Sequence, residues 1–164
     1  MQKKLLSVLF ILSVITVNAQ KGSYGLELSL GSSNAINKNL STGFSGTLGA
    51  FYHTSNLGVL KLNYTSVTNG IKNFNPKTVL HNQFLTVGYQ QYFSNKRNLF
   101  ATADAGLNIV SRNIFPAAAL GLGYTIHAKN GGFDIGLKYM NSFGSGSNNM
   151  WLLPQIGFKI KLGK

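Results

Sequence analysis

Apolar and polar residues trade places with a period of two along eight separate stretches of this chain, and turn-forming residues fall between them. A strand points successive side chains to opposite faces, so each stretch has one apolar and one polar face. The stretches are Ser23–Gly31, Thr42–His53, Leu57–Thr65, Gln83–Phe93, Leu99–Ile109, the two arms of Ala118–Tyr139, and Trp151–Leu162. Three local departures carry expectations. Phe51 breaks the polar face of the second stretch. Leu57-Gly58-Val59 is out of phase with the third, which predicts a bulge. Pro154 cannot donate to a ladder, so pairing of the last stretch is expected only after it.

Ala118–Tyr139 reads as one hairpin. Asn130-Gly131 suits the two positive-φ positions of a type I′ turn. That turn pairs Lys129 with Gly132, Ile126 with Ile135, and His127 with Asp134. Both faces then agree. Leu120, Leu122, Tyr124 and Ile126 share a side with Phe133, Ile135 and Leu137, while Gly121, Gly123 and His127 share the other with Asp134 and Lys138.

The connections alternate in length. Gly31–Ser41, Ser66–Asn82, Val110–Ala117 and Asn141–Met150 are long, whereas Thr54–Asn56, Ser94–Asn98 and Ala128–Gly132 are short. Strands of about ten residues with alternately long and short connections are the signature of a membrane-spanning barrel. The expected fold is all-β: an eight-stranded antiparallel up-and-down transmembrane β-barrel, with both termini on the short-turn, periplasmic side.

The first 19 residues have the layout of an export signal, leaving 20–164 as the barrel domain. Lys3 and Lys4 precede the mostly apolar run Leu5–Val17, and Val17-Asn18-Ala19 offers a cleavage site before Gln20. Without cysteine, neither a lipid-anchored cysteine nor a disulfide framework is available. Removing Lys3 and Lys4 from the 15 basic residues leaves 13 against three acids, a net charge of +10. These basic residues are scattered rather than clustered, which argues against nucleic acid as a partner.

Alternation alone does not say which face points inward. The apolar faces carry no charge; a lysine at mid-bilayer would cost about 2–4 kcal/mol. The polar faces carry Gly25, Gly49, Gly88, Gly106, Gly121, Gly123, Gly136 and Gly157. Glycine gains little on the solvent face of a strand but makes room inside a narrow barrel. Polar faces inside therefore fit better than the soluble, lipocalin-like arrangement. The charges Glu27, Lys61, Asp104, His127, Asp134, Lys138, Lys159 and Lys161 are then expected to form a polar network in the lumen. Tyr24, Phe44, Tyr52, Phe93, Phe133, Tyr139 and Trp151 fall near the ends of the apolar stripes, where interfacial girdles form.

The last stretch, Gln155-Ile156-Gly157-Phe158-Lys159-Ile160-Lys161-Leu162, resembles the C-terminal β-signal of outer-membrane proteins. Gln155, Gly157, Ile160 and Leu162 match that pattern; the usual terminal aromatic is absent, and Gly163-Lys164 follow. With the leader and the eight stretches, the chain resembles the small bacterial outer-membrane β-barrel family, of OmpA-barrel or OmpX-like size. Its Asn-Ala-Gln cleavage region resembles exports of Bacteroidota, a Gram-negative group. The resemblance implies insertion by the barrel-assembly machinery, contact with outer-membrane lipid and lipopolysaccharide, and a place open to a larger outer-membrane complex.

Little points to chemistry. His53, His81 and His127 lack metal-ligand spacing, and no phosphate-binding loop or cofactor motif is present. His127 opposite Asp134 resembles a base with its orienting acid, but no nucleophile accompanies it, so it reads as a lumen ion pair. Lipid acyltransferases and deacylases exist among eight-stranded barrels, with Ser and His near the extracellular end; His81 alone lies toward that end here. Lys38, Lys72, Lys77 and Arg112 stand on acid-free long loops, as surface contacts for lipopolysaccharide phosphates or acidic glycans. The expectation is a non-enzymatic outer-membrane protein with a structural, surface-interaction or accessory-subunit role.

Overall fold

The computed structural model describes residues 22–37, 39–72, 78–94, 96–111, 113–144 and 149–163. Eight strands, β1 (Tyr24–Ala35), β2 (Gly43–His53), β3 (Gly58–Gly70), β4 (Val79–Tyr92), β5 (Leu99–Val110), β6 (Asn113–Ala128), β7 (Gly131–Ser142) and β8 (Asn149–Gly163), follow one another around a closed barrel. Each pairs antiparallel with its neighbours in sequence, and β8 closes on β1. No helix occurs among the described residues.

The alternation does what the sequence predicts, with the apolar stripe turned outward. Leu26, Leu28, Leu48, Leu62, Leu120 and Ile156 are all exposed, Leu120 by 62%. Glu27, Thr47, Lys61, Asn63, Thr65 and Asp104 are all buried. A lipocalin-like barrel has the reverse arrangement, so the soluble alternative is not the one adopted. The interior glycines make room for their neighbours. A Cβ on Gly88 would collide with Asp104, and one on Gly49 would stand 2.9 Å from Glu27 Cγ.

Several local expectations are corrected. The β6–β7 turn is Lys129-Asn130 rather than Asn130-Gly131, because Ala128 pairs with Gly131 and His127 with Gly132. No residue of the turn has positive φ, so it is not type I′. Gly131 is instead needed for close approach: a Cβ there would strike the Lys159 carbonyl of β8. The register therefore moves by two residues, which preserves the faces but changes every partner.

The expected bulge at Leu57-Gly58-Val59 is absent. The β3 register runs unbroken from Val59, which points inward and is buried. The irregularity lies between Tyr24 and Gly25, where β1 meets β8. Pro154 sits within a paired strand, opposite Leu137 of β7. On the other side, the β1–β8 ladder passes from Gly31↔Gln155 to Asn34↔Leu152, skipping Pro154 and its neighbour Leu153.

Val110–Ala117 is not a long loop. Val110 pairs with Asn113 across a two-residue turn in which Ser111 has φ 46°. Ile114 points outward and Ala117 inward, so the alternation continues through the proline at 116. Its neighbours at the same end are more elaborate. The first two long connections are stitched together by the Leu40–Ile71 bridge and by Lys72 N donating to Asn39 O at 2.9 Å.

Candidate functional site

Most inward-facing side chains form three layers, and the middle one is charged. Lys61 Nζ of β3 lies 2.6 Å from Glu27 Oε1 of β1. Lys159 of β8 is ion-paired with Asp134 of β7 and stands 4.0 Å from the other oxygen of Glu27. Lys138 of β7 pairs with Asp104 of β5 at 2.5 Å. Period-two placement on five different strands aims these groups at one level, and their three acids match their three lysines. Neutral groups complete the set. Gln90 Oε1 accepts from Lys159 at 3.2 Å and from Lys61 at 3.5 Å. Thr125 Oγ1 donates to Asp134 at 2.7 Å. Glu27, Lys61, Asp104 and Lys159 are buried and Asp134 and Lys138 half-buried, each with a partner of opposite sign, the condition under which burial is tolerable. A cavity of about 60 Å³ remains beside Glu27, Lys61 and Lys138, polar and large enough for a small water cluster.

The sequence reading did not foresee the layers above and below. At the long-connection end, Val67, Phe84, Ala117, Ala119, Met140, Trp151 and Leu153 pack together. Phe84 and Trp151 meet edge to face at 5.4 Å, and the Trp151 indole donates to Asn69 Oδ1 at 3.1 Å. Trp151 is thus an interior residue and not part of an outer girdle. Near the other end, Phe51, Val59, Tyr92 and Phe100 form a second apolar layer, with Leu57 against it. Phe51, which breaks the polar pattern of its stretch, and Val59, which is out of phase, were the available signals. Lys159 also stands over the Phe100 ring, 5.4 Å from its centroid.

His127 does not meet Asp134. It is exposed at the turn-side mouth, where its Nε2 lies 2.8 Å from Arg97 O. The base-and-acid arrangement is therefore not formed; the two-residue change of register puts Thr125 opposite Asp134 instead. Lys161 is likewise exposed, at the same mouth. His81 lies exposed on β4. Among the described residues, no three His, Cys, Asp or Glu side chains gather as metal ligands.

Of the other marked residues, Lys72 is exposed beyond β3, while Lys38, Lys77, Arg112 and the whole segment 1–19, expected to be an export signal, lie outside the described residues. In β8, Gly157 packs against Ser29 Cβ of β1, where an added Cβ would stand at 2.9 Å. Gln155 reaches Thr47 at 3.4 Å, and Ile160 and Leu162 face outward. The segment resembling the β-signal is thus the strand that closes the barrel.

No family model matches the sequence, and no curated protein does. Solved structures do. Neisserial surface protein A superposes with a TM-score of 0.70 at 15% identity, covering 87% of this chain and 100% of that one. Ail, the attachment invasion locus protein of Yersinia pestis, gives 0.56 at 13% identity, over 86% of this chain and all of Ail. The N-terminal β-barrel domain of Pseudomonas aeruginosa OprF gives 0.51 at 13%, over 85% and 100%. Ail has also been solved, as an outer-membrane protein, in a phospholipid bilayer nanodisc. The likeness extends over whole chains and is one of fold: this chain shares the closed eight-stranded architecture of small outer-membrane barrels.

Proposed function

We propose that the chain is a non-enzymatic outer-membrane barrel, exported by its N-terminal leader and inserted through its β8 signal, with a structural or surface-interaction role. One observation carries this reading: the apolar stripe of every strand faces outward while all three acids lie inside. In water, such an exterior would be a large aggregation-prone surface; in a bilayer it is the required one. The two apolar layers on either side of the charged one argue against solute conduction, since an eight-stranded interior is filled by side chains. What remains is the surface. Lys72 and the undescribed Lys38, Lys77 and Arg112 are read as contacts for lipopolysaccharide phosphates or acidic glycans. The structure of Ail with the heparin analogue sucrose octasulfate makes an anionic glycan a reasonable first ligand to try.

The test is extraction. The protein should partition with outer membranes, require detergent for release, and migrate differently on gels before and after boiling. Recovery from the soluble periplasmic fraction would overturn the reading.

A further inference from the structure

We propose that the turn-side rim, the end where β1 begins and β8 finishes, is a docking surface for the head groups of anionic phospholipids. The chain has only three acids, and all are taken up inside: Glu27 by Lys61, Asp104 by Lys138, Asp134 by Lys159. The charged side chains left at this rim among the described residues are cations: Lys96, Arg97, Lys129 and Lys161.

These cations stand on fixed backbone. The connection carrying Lys96 and Arg97 is tied to β6 by three contacts. Thr125 N donates to Asn98 O at 2.6 Å, Asn98 Nδ2 donates to the Tyr124 hydroxyl at 2.6 Å, and His127 Nε2 lies 2.8 Å from Arg97 O. Arg97 itself holds φ 53°, a left-handed conformation that such ties maintain. The Lys129-Asn130 turn is bound to β8 through Lys161 N, which donates to Asn130 O at 3.0 Å. Arg97 is half-buried and donates to Asn56 Oδ1 at 3.4 Å, while Lys96, Lys129 and Lys161 stand exposed on this ordered rim.

Their level points to lipid. Phe93, Tyr124, Phe133 and Phe158 are exposed on the outer face at this same end, with Phe133 and Phe158 in ring contact at 5.1 Å. Where an aromatic belt ends and cations begin, a bilayer presents its phosphates. The mouth argues against a soluble ligand: the recess among His53, Arg97, His127 and Lys161 holds only about 20 Å³. An organic ligand needs a site of about 300 Å³ or more. The inference rests on the membrane reading of the outer face.

The experiment reconstitutes the full chain in vesicles of phosphatidylcholine, alone or mixed with phosphatidylglycerol, and counts lipids retained after gentle detergent release by native mass spectrometry. Phosphatidylglycerol should be enriched over phosphatidylcholine, with about fivefold preference for each cation engaged. Lys96→Gln/Lys129→Gln/Lys161→Gln should remove most of the enrichment, leaving at most the share of Arg97, and the three matching Lys→Arg changes should keep it. Raising the salt on the unaltered protein should erode it, which tests the idea even if the triple variant fails to fold.

Equal retention of both lipids, or enrichment untouched by the glutamines and by salt, overturns the proposal. Displacement of the lipid by inorganic phosphate at matched concentration overturns it in favour of a free-anion site, and stronger capture of poly-glutamate in favour of an acidic polypeptide. Failure to insert into either vesicle would instead sink the membrane reading beneath it.

Discussion

The indole N–H of Trp151 donates to Asn69 Oδ1 at 3.1 Å, joining β8 to β3 inside the barrel. Asn69 in turn donates through Nδ2 to Ser33 O at 3.0 Å and Ser41 O at 2.8 Å. One asparagine thus fastens the tryptophan to β1 and to the first long connection. Trp151 is the only tryptophan, so its fluorescence reports this layer alone. Its emission should be blue-shifted and resist quenching by brominated acyl chains, because the ring is fully buried. Strong lipid quenching would return it to the outer girdle. Trp151→Ala should cost about 3–5 kcal/mol in denaturant titration of the reconstituted protein.

The charged layer gives a second prediction. Glu27 is paired with Lys61 and approached by Lys159. Glu27→Gln would leave a buried lysine uncompensated, at about 3–5 kcal/mol. Removing both partners, as Glu27→Leu/Lys61→Met, should recover much of that loss, since an apolar pair of similar size is often no worse than a buried ion pair. Urea unfolding of the double variant and of the singles Glu27→Leu and Lys61→Met completes the cycle. Losses that simply add would show that the two groups do not interact.

Two glycines separate the inner face from the outer. Gly88→Ala would push a Cβ into Asp104 and disturb its pair with Lys138. A loss of about 1–3 kcal/mol is expected from such overpacking. Gly46→Ala faces outward, where the added Cβ meets Leu30 Cδ2 at an ordinary 3.6 Å. That change should be neutral or gain about 0.5 kcal/mol through the unfolded chain. Equal effects in melting experiments would mean that the lumen is looser than this geometry.

The faces were legible because parity survives errors of register. Placing the turn at Asn130-Gly131 moves every partner by two and still leaves Gly121 inside and Leu120 outside. Partnership had no such protection, so His127 and Asp134 were matched although Thr125 holds that place. Trp151 was misplaced for a different reason. Its parity is that of Leu153 and Gln155, but a large ring at a strand end reads as a girdle residue by chemistry alone. Phe84 and Phe100 occupy the same inward phase; together such residues close the lumen, which a polar-in, apolar-out rule does not anticipate. Strand length was hidden where the outer face turns polar. Ser66 and Thr68 on β3 continue the ladder to Phe44 and beyond without the contrast that marks a strand. The cations of the turn-side rim, on three different turns and strands, come together only when the barrel closes.

The outer face supplies the last prediction. Leu62 is half exposed in the middle of β3, between Ala50 of β2 and Val87 of β4, both apolar and outward-facing. In a bilayer, Leu62→Lys should cost about 2–4 kcal/mol, because the ammonium must stay in hydrocarbon or drag water to it. On a water-exposed strand, the same change should alter stability by no more than about 0.5 kcal/mol and raise solubility. Unfolding in lipid vesicles and in water-soluble polymer therefore separates the two environments. Asn63, one residue on, is buried in the lumen; Asn63→Lys would add a fourth cation to a layer with three acids. Its cost should persist whatever surrounds the barrel. A lysine tolerated at Leu62 in lipid would contradict the outward assignment on which the membrane reading stands.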